Sequence, residues 1–176
     1  DSAQYDALAS ADQRRWLSFS KSLGDYYYDQ GENASGDRRA AYFASAAGYY
    51  TRLASRQEQP GETLRLAGDA WLQAGRYEEA LASFRKAAYE APGYANANDA
   101  GWAALLLERN ALDVTNSLKT TLARFADASE KWSASFKEDA RIPPLSSDVA
   151  NRLLARGSNA RARQFAQTAI AHPGTS

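Results

Sequence analysis

An all-α chain built from repeated helical hairpins is the fold class that this sequence predicts. Three observations carry the prediction. Between Gly61 and Tyr94, apolar residues recur at helical spacing in two runs, separated by Gly75 and closed by Pro92. The same order of small and large residues returns on both sides of that stretch. Strand signals are missing, since alanine is abundant, β-branched residues are scarce and no alternating apolar run of four or more residues occurs.

Ahead of the first hairpin, Tyr5, Leu8 and the stretch to Arg15 predict a short leading helix. In the first hairpin, residues 13–57, Leu23, Gly24, Tyr27 and Gly31 stand 44 residues before Ala67, Gly68, Trp71 and Gly75. Ala46, Tyr50 and Leu53 stand only 34 residues before Ala80, Phe84 and Ala87. The difference is a ten-residue insertion between the two helices, around 32–39, where the polar, glycine-containing run Glu32 to Arg39 predicts a surface loop.

The second hairpin, 61–92, is the most regular. Leu64, Ala67, Gly68, Trp71 and Leu72 define its first helix, which Gly75 stops. Tyr77, Ala80, Leu81, Phe84, Ala87 and Ala88 define the second, which Ala91, Pro92 and Gly93 stop. Gly68 and Ala80 carry almost no side chain, so the two helices can approach there while Trp71, Tyr77 and Phe84 fill the wider gaps.

In the third hairpin, 95–126, Gly101, Leu105, Val114 and Leu118 fall 34 residues after Ala67, Trp71, Ala80 and Phe84, with Trp102 where a small residue is expected. Ser129 to Ser147 then predicts an inserted helix carrying Trp132 and Phe136, ended by Ile142, Pro143 and Pro144, with an extended link and an insertion over 133–147. Val149, Ala150, Leu153, Gly157, Ala162 and Ala169 predict a fourth hairpin, 146–173, closed by Pro173.

With Gly61 counted as position 1, Leu64, Ala67, Gly68, Trp71, Ala80, Phe84, Ala87 and Pro92 fill the eight defining positions of a 34-residue hairpin, and the stretch resembles a tetratricopeptide repeat. The resemblance implies a right-handed α-solenoid of about four such hairpins, stacked because one hairpin cannot bury its apolar face alone. It also implies a protein-binding scaffold whose first helices line a concave groove. The groove positions would be Ser18, Lys21, Asp25, Tyr28 and Asp29 in the first hairpin, and Glu62, Arg65, Asp69, Leu72 and Gln73 in the second. Asn96, Asp99, Ala103, Leu106 and Leu107 would follow in the third. Some members of the family clamp a C-terminal carboxylate with Lys and Asn. Lys21 and Arg65 suit that role, but Asp25 and Asp69 depart from it, and each lies four residues from the base that it would neutralise. Such a groove, polar at one end and apolar near Leu72, Leu106 and Leu107, fits an extended or helical peptide with a few apolar anchors. The alternative is that Leu106 and Leu107 are buried under Trp132 and Phe136.

Composition bounds the remaining possibilities. The 176 residues suit one domain, and 44% hydrophobic content is ordinary for a folded chain. No apolar run reaches the roughly 18 residues of a membrane-spanning helix, and no signal peptide is evident. A chain beginning at Asp1 and lacking methionine reads as a processed protein or a piece of a longer one. Zero cysteines exclude disulfides, thiol catalysis and thiolate metal sites. Net charge is zero, which gives nucleic acid and anionic membrane no support as partners.

The charge is unevenly placed, at −1 over residues 1–60, −3 over 61–140 and +4 over 141–176. Arg152, Arg156, Arg161 and Arg163 form either a solvated terminal face or a docking surface for an acidic partner. The tyrosines, among them Tyr26, Tyr27, Tyr28, Tyr42, Tyr49 and Tyr50, divide between packing and an interaction or sugar-stacking surface. No catalytic residue is predicted, because the single histidine, His172, has no base or nucleophile at a recognisable spacing. Glu78 with Glu79, and Glu138 with Asp139, point about 100° apart on a helix and do not converge on a metal, so neither metal nor cofactor is expected. The sequence Asn33-Ala34-Ser35 matches a glycan acceptor, but the alanine- and arginine-rich composition reads as bacterial. The expectation is a non-catalytic scaffold or adaptor for a protein or peptide segment in a bacterial envelope, secretion or polysaccharide-export assembly, the periplasm being favoured over the cytoplasm. The alternatives are a regulatory or targeting domain of a larger enzyme and a self-associating homo-oligomeric module.

Overall fold

A computed structural model describes residues 5, 7–113 and 121–172, and it is helical throughout, with eight helices and no strand among the described residues. The helices are α1 (Ser10–Glu32), α2 (Gly36–Ala54), α3 (Gly61–Gln73), α4 (Tyr77–Tyr89), α5 (Ala97–Asp113), α6 (Leu122–Ser135), α7 (Ile142–Ala155) and α8 (Asn159–Ala171). The chain divides into two compact units, Asp1–Ala104 and Leu105–Ser176.

In the first unit each helix from α1 to α4 packs on the next. Ala46, Ala47 and Tyr50 of α2 meet Ala67 and Ala70 of α3, with Tyr27, Tyr28, Leu66 and Trp71 closing the margins. Alanine on both faces brings the helix axes close, and the aromatic rings then fill what remains. Ala87 and Ala88 of α4 meet Ala100 of α5 in the same way, flanked by Leu64, Tyr89 and Tyr94. Inside each hairpin a ring lies on a glycine. A Cβ on Gly68 would stand 2.6 Å from Phe84, and one on Gly24 would stand 2.6 Å from Tyr50. The first helix of the second hairpin ends as expected for its glycine, since Gly75 adopts φ +72° just beyond α3.

The ten extra residues of the first hairpin do not form a loop. Helices α1 and α2 hold 23 and 19 residues, against 13 each in α3 and α4, while residues 33–35 and 74–76 make equally short connections. The expected surface loop over 32–39 is therefore confined to its first part, and the insertion lengthens an antiparallel helix pair. Gly31 is accordingly no helix stop. It is buried within α1 under the ring of Phe43, 2.9 Å from where its Cβ would lie, and Asn33 closes the helix through Nδ2, which donates to the Asp29 carbonyl at 2.8 Å. The leading helix expected up to Arg15 is likewise merged into α1, which opens at Ser10.

In the second unit α6 packs on α7 and α7 on α8. Phe125, Ser129 and Trp132 of α6 and Val149 of α7 are fully buried, and Ile142 and Leu153 of α7 and Phe165 of α8 are buried. Trp132 belongs to a helix that begins at Leu122, not to a separate one beginning at Ser129. Pro143 and Pro144 occupy the first turn of α7 instead of terminating a helix. A proline lacks only the N–H that a first turn leaves unpaired, so it opens a helix as readily as it ends one. Val114, Leu118 and Pro173 lie outside the described residues.

Candidate functional site

One side of α1 and α3 gathers most of the polar residues that the groove reading singled out. On α1, Lys21 Nζ donates to Asp25 at 2.7 Å, and the second Asp25 oxygen accepts the Tyr50 hydroxyl of α2 at 2.9 Å. On α3, Arg65 is held between two carboxylates one helical turn away in each direction. Its Nη2 donates to Glu62 at 2.6 Å and its Nη1 to Asp69. The Tyr94 hydroxyl donates to the other Glu62 oxygen at 2.7 Å. Arg39 of α2 spans the two hairpins, donating to Gly31 O at 3.2 Å and to Gln73 Oε1 at 2.6 Å, with its guanidinium 4.7 Å over the Phe43 ring. Tyr28 meets the same ring edge-on at 5.0 Å.

The electrostatics place Tyr28 among these charges. Burial raises its phenol above the usual value, and the carboxylates of Asp69 and Glu32 raise it further against the opposing pull of Arg65 and Arg39. Asp69 is raised chiefly by its own burial, with Arg65 opposing. Glu62 is lowered, first by its hydrogen bond from Arg65 and then, against burial, by the Tyr94 hydroxyl. Tyr28, Arg65, Asp69 and Gln73 thus share one neighbourhood, and Lys21 with Asp25 forms a separate pair. Leu72 is half-buried and Asp99 is exposed at the start of α5. Leu106 is 36% exposed while Leu107 is buried.

The arginines of the last hairpin are less available than their number suggests. Arg152 donates to both Asp113 oxygens, at 2.7 and 3.0 Å, and to Asp148 at 3.1 Å. Arg161 reaches Asp127 at 2.5 Å and Glu130 at 3.2 Å. Arg156 and Arg163 are exposed and pair with no carboxylate among the described residues. The sequence count overstated this patch because, Asp148 apart, its neutralising acids lie 31 to 39 residues away along the chain.

Sequence reasoning missed three other features. The Arg39 bridge to Gln73 joins residues 34 apart, an offset that one repeat length would have suggested. Glu108 is 1% exposed and receives Arg124 of α6 at 3.0 Å. An open hollow of about 440 Å³ runs over α2 at Gly48, edged by Tyr27, Tyr49, Arg52 and Trp71. Tyr27 and Tyr49 stack there with centroids 5.6 Å apart. The His172 ring nitrogen Nε2 lies 3.1 Å from the Lys137 carbonyl, which ties the end of α8 to the segment before α7. Among the described residues no three His, Cys, Asp or Glu side chains converge on a metal position, and no helix is long and apolar enough to cross a membrane. No protein-family model matches this chain, and no curated protein matches it.

Proposed function

We propose that the chain is a non-catalytic scaffold of the tetratricopeptide type, its hairpins stacked as a right-handed solenoid, which holds a segment of a partner protein along the α1 and α3 side. The observation that carries this reading is the neighbourhood of Tyr28, Arg65, Asp69 and Gln73. Two hairpins contribute to it; Arg65, Asp69 and Gln73 are held by hydrogen bonds before any partner arrives, and Tyr28 is held against the Phe43 ring. Preorganised polar groups around a half-buried tyrosine lose little entropy on binding, which suits recognition of a polypeptide. Carboxylates predominate there. Asp25, Asp29 and Glu32 on α1 with Glu62 and Asp69 on α3 outnumber Lys21, Arg39 and Arg65, so the favoured segment is basic, with an apolar anchor against Leu72.

The test is an affinity capture run in parallel with the folded variants Tyr28→Ala, Asp69→Lys and Arg163→Ala. A protein retained by the native chain and by Arg163→Ala but lost by the other two supports the reading. Equal retention by all four overturns it.

A further inference from the structure

Helix α1 carries a second ordered surface. Asp12, Phe19 and Tyr26 are seven residues apart, as are Arg15, Ser22 and Asp29, and the two rows interleave at spacings of three and four. On a helix that places all six on one stripe. Every one except Phe19 and Tyr26 is polar, and the two rings are 64% and 55% exposed. Covering such rings removes apolar surface from water, which favours association.

The repeat explains why this stripe is open. Phe19, Ser22 and Tyr26 stand 44 residues before Thr63, Leu66 and Ala70, the displacement that also relates Gly24 to Gly68. In α3 those positions are covered, since Ala70 and Leu66 pack with Ala46, Ala47 and Tyr50 of α2 and Thr63 is buried. In α1 the equivalent side has no helix over it among the described residues, and the small or aliphatic set is replaced by two aromatics around a serine.

The stripe is complementary to itself. Counted from Ser22, Arg15 lies seven residues before and Asp29 seven after, with Phe19 three before and Tyr26 four after. Reversing the helix about Ser22 therefore brings Arg15 onto Asp29 and sets Phe19 one position from Tyr26, twice each. Ser22 is small, and its hydroxyl is already bonded to the Ser18 carbonyl at 3.1 Å, so it can sit at a close crossing without an unmet polar group. Arg15 pairs with Asp12 in the single chain at 3.3 Å, but both side chains are exposed, at 82% and 52%, and such pairs are worth little and exchange readily.

We propose that this stripe is a homodimer interface, with α1 of one copy antiparallel to α1 of a second about a twofold axis through Ser22. A twofold pairing requires the same patch on both subunits, and the arrangement of charge and aromatic residues about Ser22 meets that requirement. The pairing shares only Asp29 with the partner side and does not use Tyr28, Arg65, Asp69 or Gln73, so Phe19→Arg and Arg15→Asp test it without touching the partner site.

Sedimentation equilibrium over a wide concentration range tests the proposal, with circular dichroism confirming that each variant stays helical. The native chain is expected to move from one mass to twice that mass and no further. Phe19→Arg, Arg15→Asp and Asp29→Arg should each weaken dimerisation about tenfold or more, the last two by setting like charges together. The double variant Arg15→Asp/Asp29→Arg should restore it. In this cysteine-free chain, Ser22→Cys should oxidise to a covalent dimer, because a twofold axis at that position brings the two Cβ atoms within disulfide reach. A native chain that stays monomeric at every concentration, growth beyond a dimer, or a double variant no better than the single ones would overturn the assignment.

Discussion

The ring of Tyr50 lies across Gly24, and the hydroxyl of the same side chain donates to Asp25 at 2.9 Å, one residue further along α1. One tyrosine thus fixes both the distance and the register of the first hairpin. Phe43 covers Gly31 in the same manner, so two ring-on-glycine contacts are set seven residues apart on each helix, running in opposite directions. Phe84 on Gly68 is the single contact of the shorter second hairpin.

These contacts separate glycines that packing requires from one that it does not. Gly24 and Gly68 have no room for a methyl group, whereas a Cβ on Gly48 meets nothing within 4 Å. All three lie inside helices, where alanine is intrinsically favoured by about 1 kcal/mol. Gly48→Ala should accordingly stabilise the chain by roughly 0.5–1 kcal/mol in a denaturant melt. Gly24→Ala and Gly68→Ala should destabilise it by roughly 1–3 kcal/mol through overpacking. A uniform sign across the three would mean that the rings are not seated on the glycines.

Alkaline titration should show Tyr28, Tyr50 and Tyr94 ionising late. Burial is the largest cause at each of Tyr28, Tyr50 and Tyr94, with the Asp25 and Glu62 hydrogen bonds adding to it at the latter two. Tyr94 is pushed up to about 12. A raised phenol contributes stability that is complete below about pH 10 and disappears as pH climbs through the folded-state value. Phenolate absorbance should therefore lag that of the unfolded chain above about pH 10, and Tyr50→Phe should shrink the lag by one group. A native chain whose tyrosines all ionise together near pH 10 would contradict the burial and bonding of these rings.

Glu108 and Arg124 tie α5 to α6 in the second unit. The carboxylate is buried and the guanidinium is about one-third exposed, so the pair is screened on one side only. Arg124→Ala removes one of the groups that offset a buried negative charge and should cost about 3 kcal/mol or somewhat less, given that exposure. Adding Glu108→Gln should recover part of the loss, since a neutral amide is cheaper to bury. A thermal melt in which the double variant is less stable than Arg124→Ala would show that the charge at 108 is held by other groups.

The parts that the sequence made legible are those encoded by spacing within one hairpin. Gly68 with Phe84, and Gly24 with Tyr50, follow from small and large residues meeting across two antiparallel helices, and the order of those residues survives a ten-residue insertion. The fate of that insertion was not legible, because Gly31 looks the same as a helix stop and as a packing site until Phe43 is seen above it. Pro143 and Pro144 were ambiguous for a related reason, proline being compatible with either side of a helix boundary. Long-range pairs such as Glu108 with Arg124, or Arg152 with Asp113, leave no local trace. Of the candidate site, the i to i+4 pairs Lys21 with Asp25 and Arg65 with Asp69 could be read directly, whereas the approach of Tyr28 to Asp69 depended on how two hairpins stack.

Arg65 serves two carboxylates whose responses to pH oppose each other. Glu62 is lowered, so its contribution is present above the ordinary glutamate range and is lost as pH falls through its folded value. Asp69 is raised, so its contribution is greatest at low pH and is lost as pH rises through its folded value. Asp69→Asn removes the second dependence and leaves the first. Relative to the native chain, that variant should become steadily more stable as pH rises from about 3 to 6. Glu62→Gln should do the reverse and lose ground over the same interval. Melting temperatures of the three proteins across that range give the two slopes, and slopes of equal sign would mean that burial of Asp69 does not outweigh its bond to Arg65.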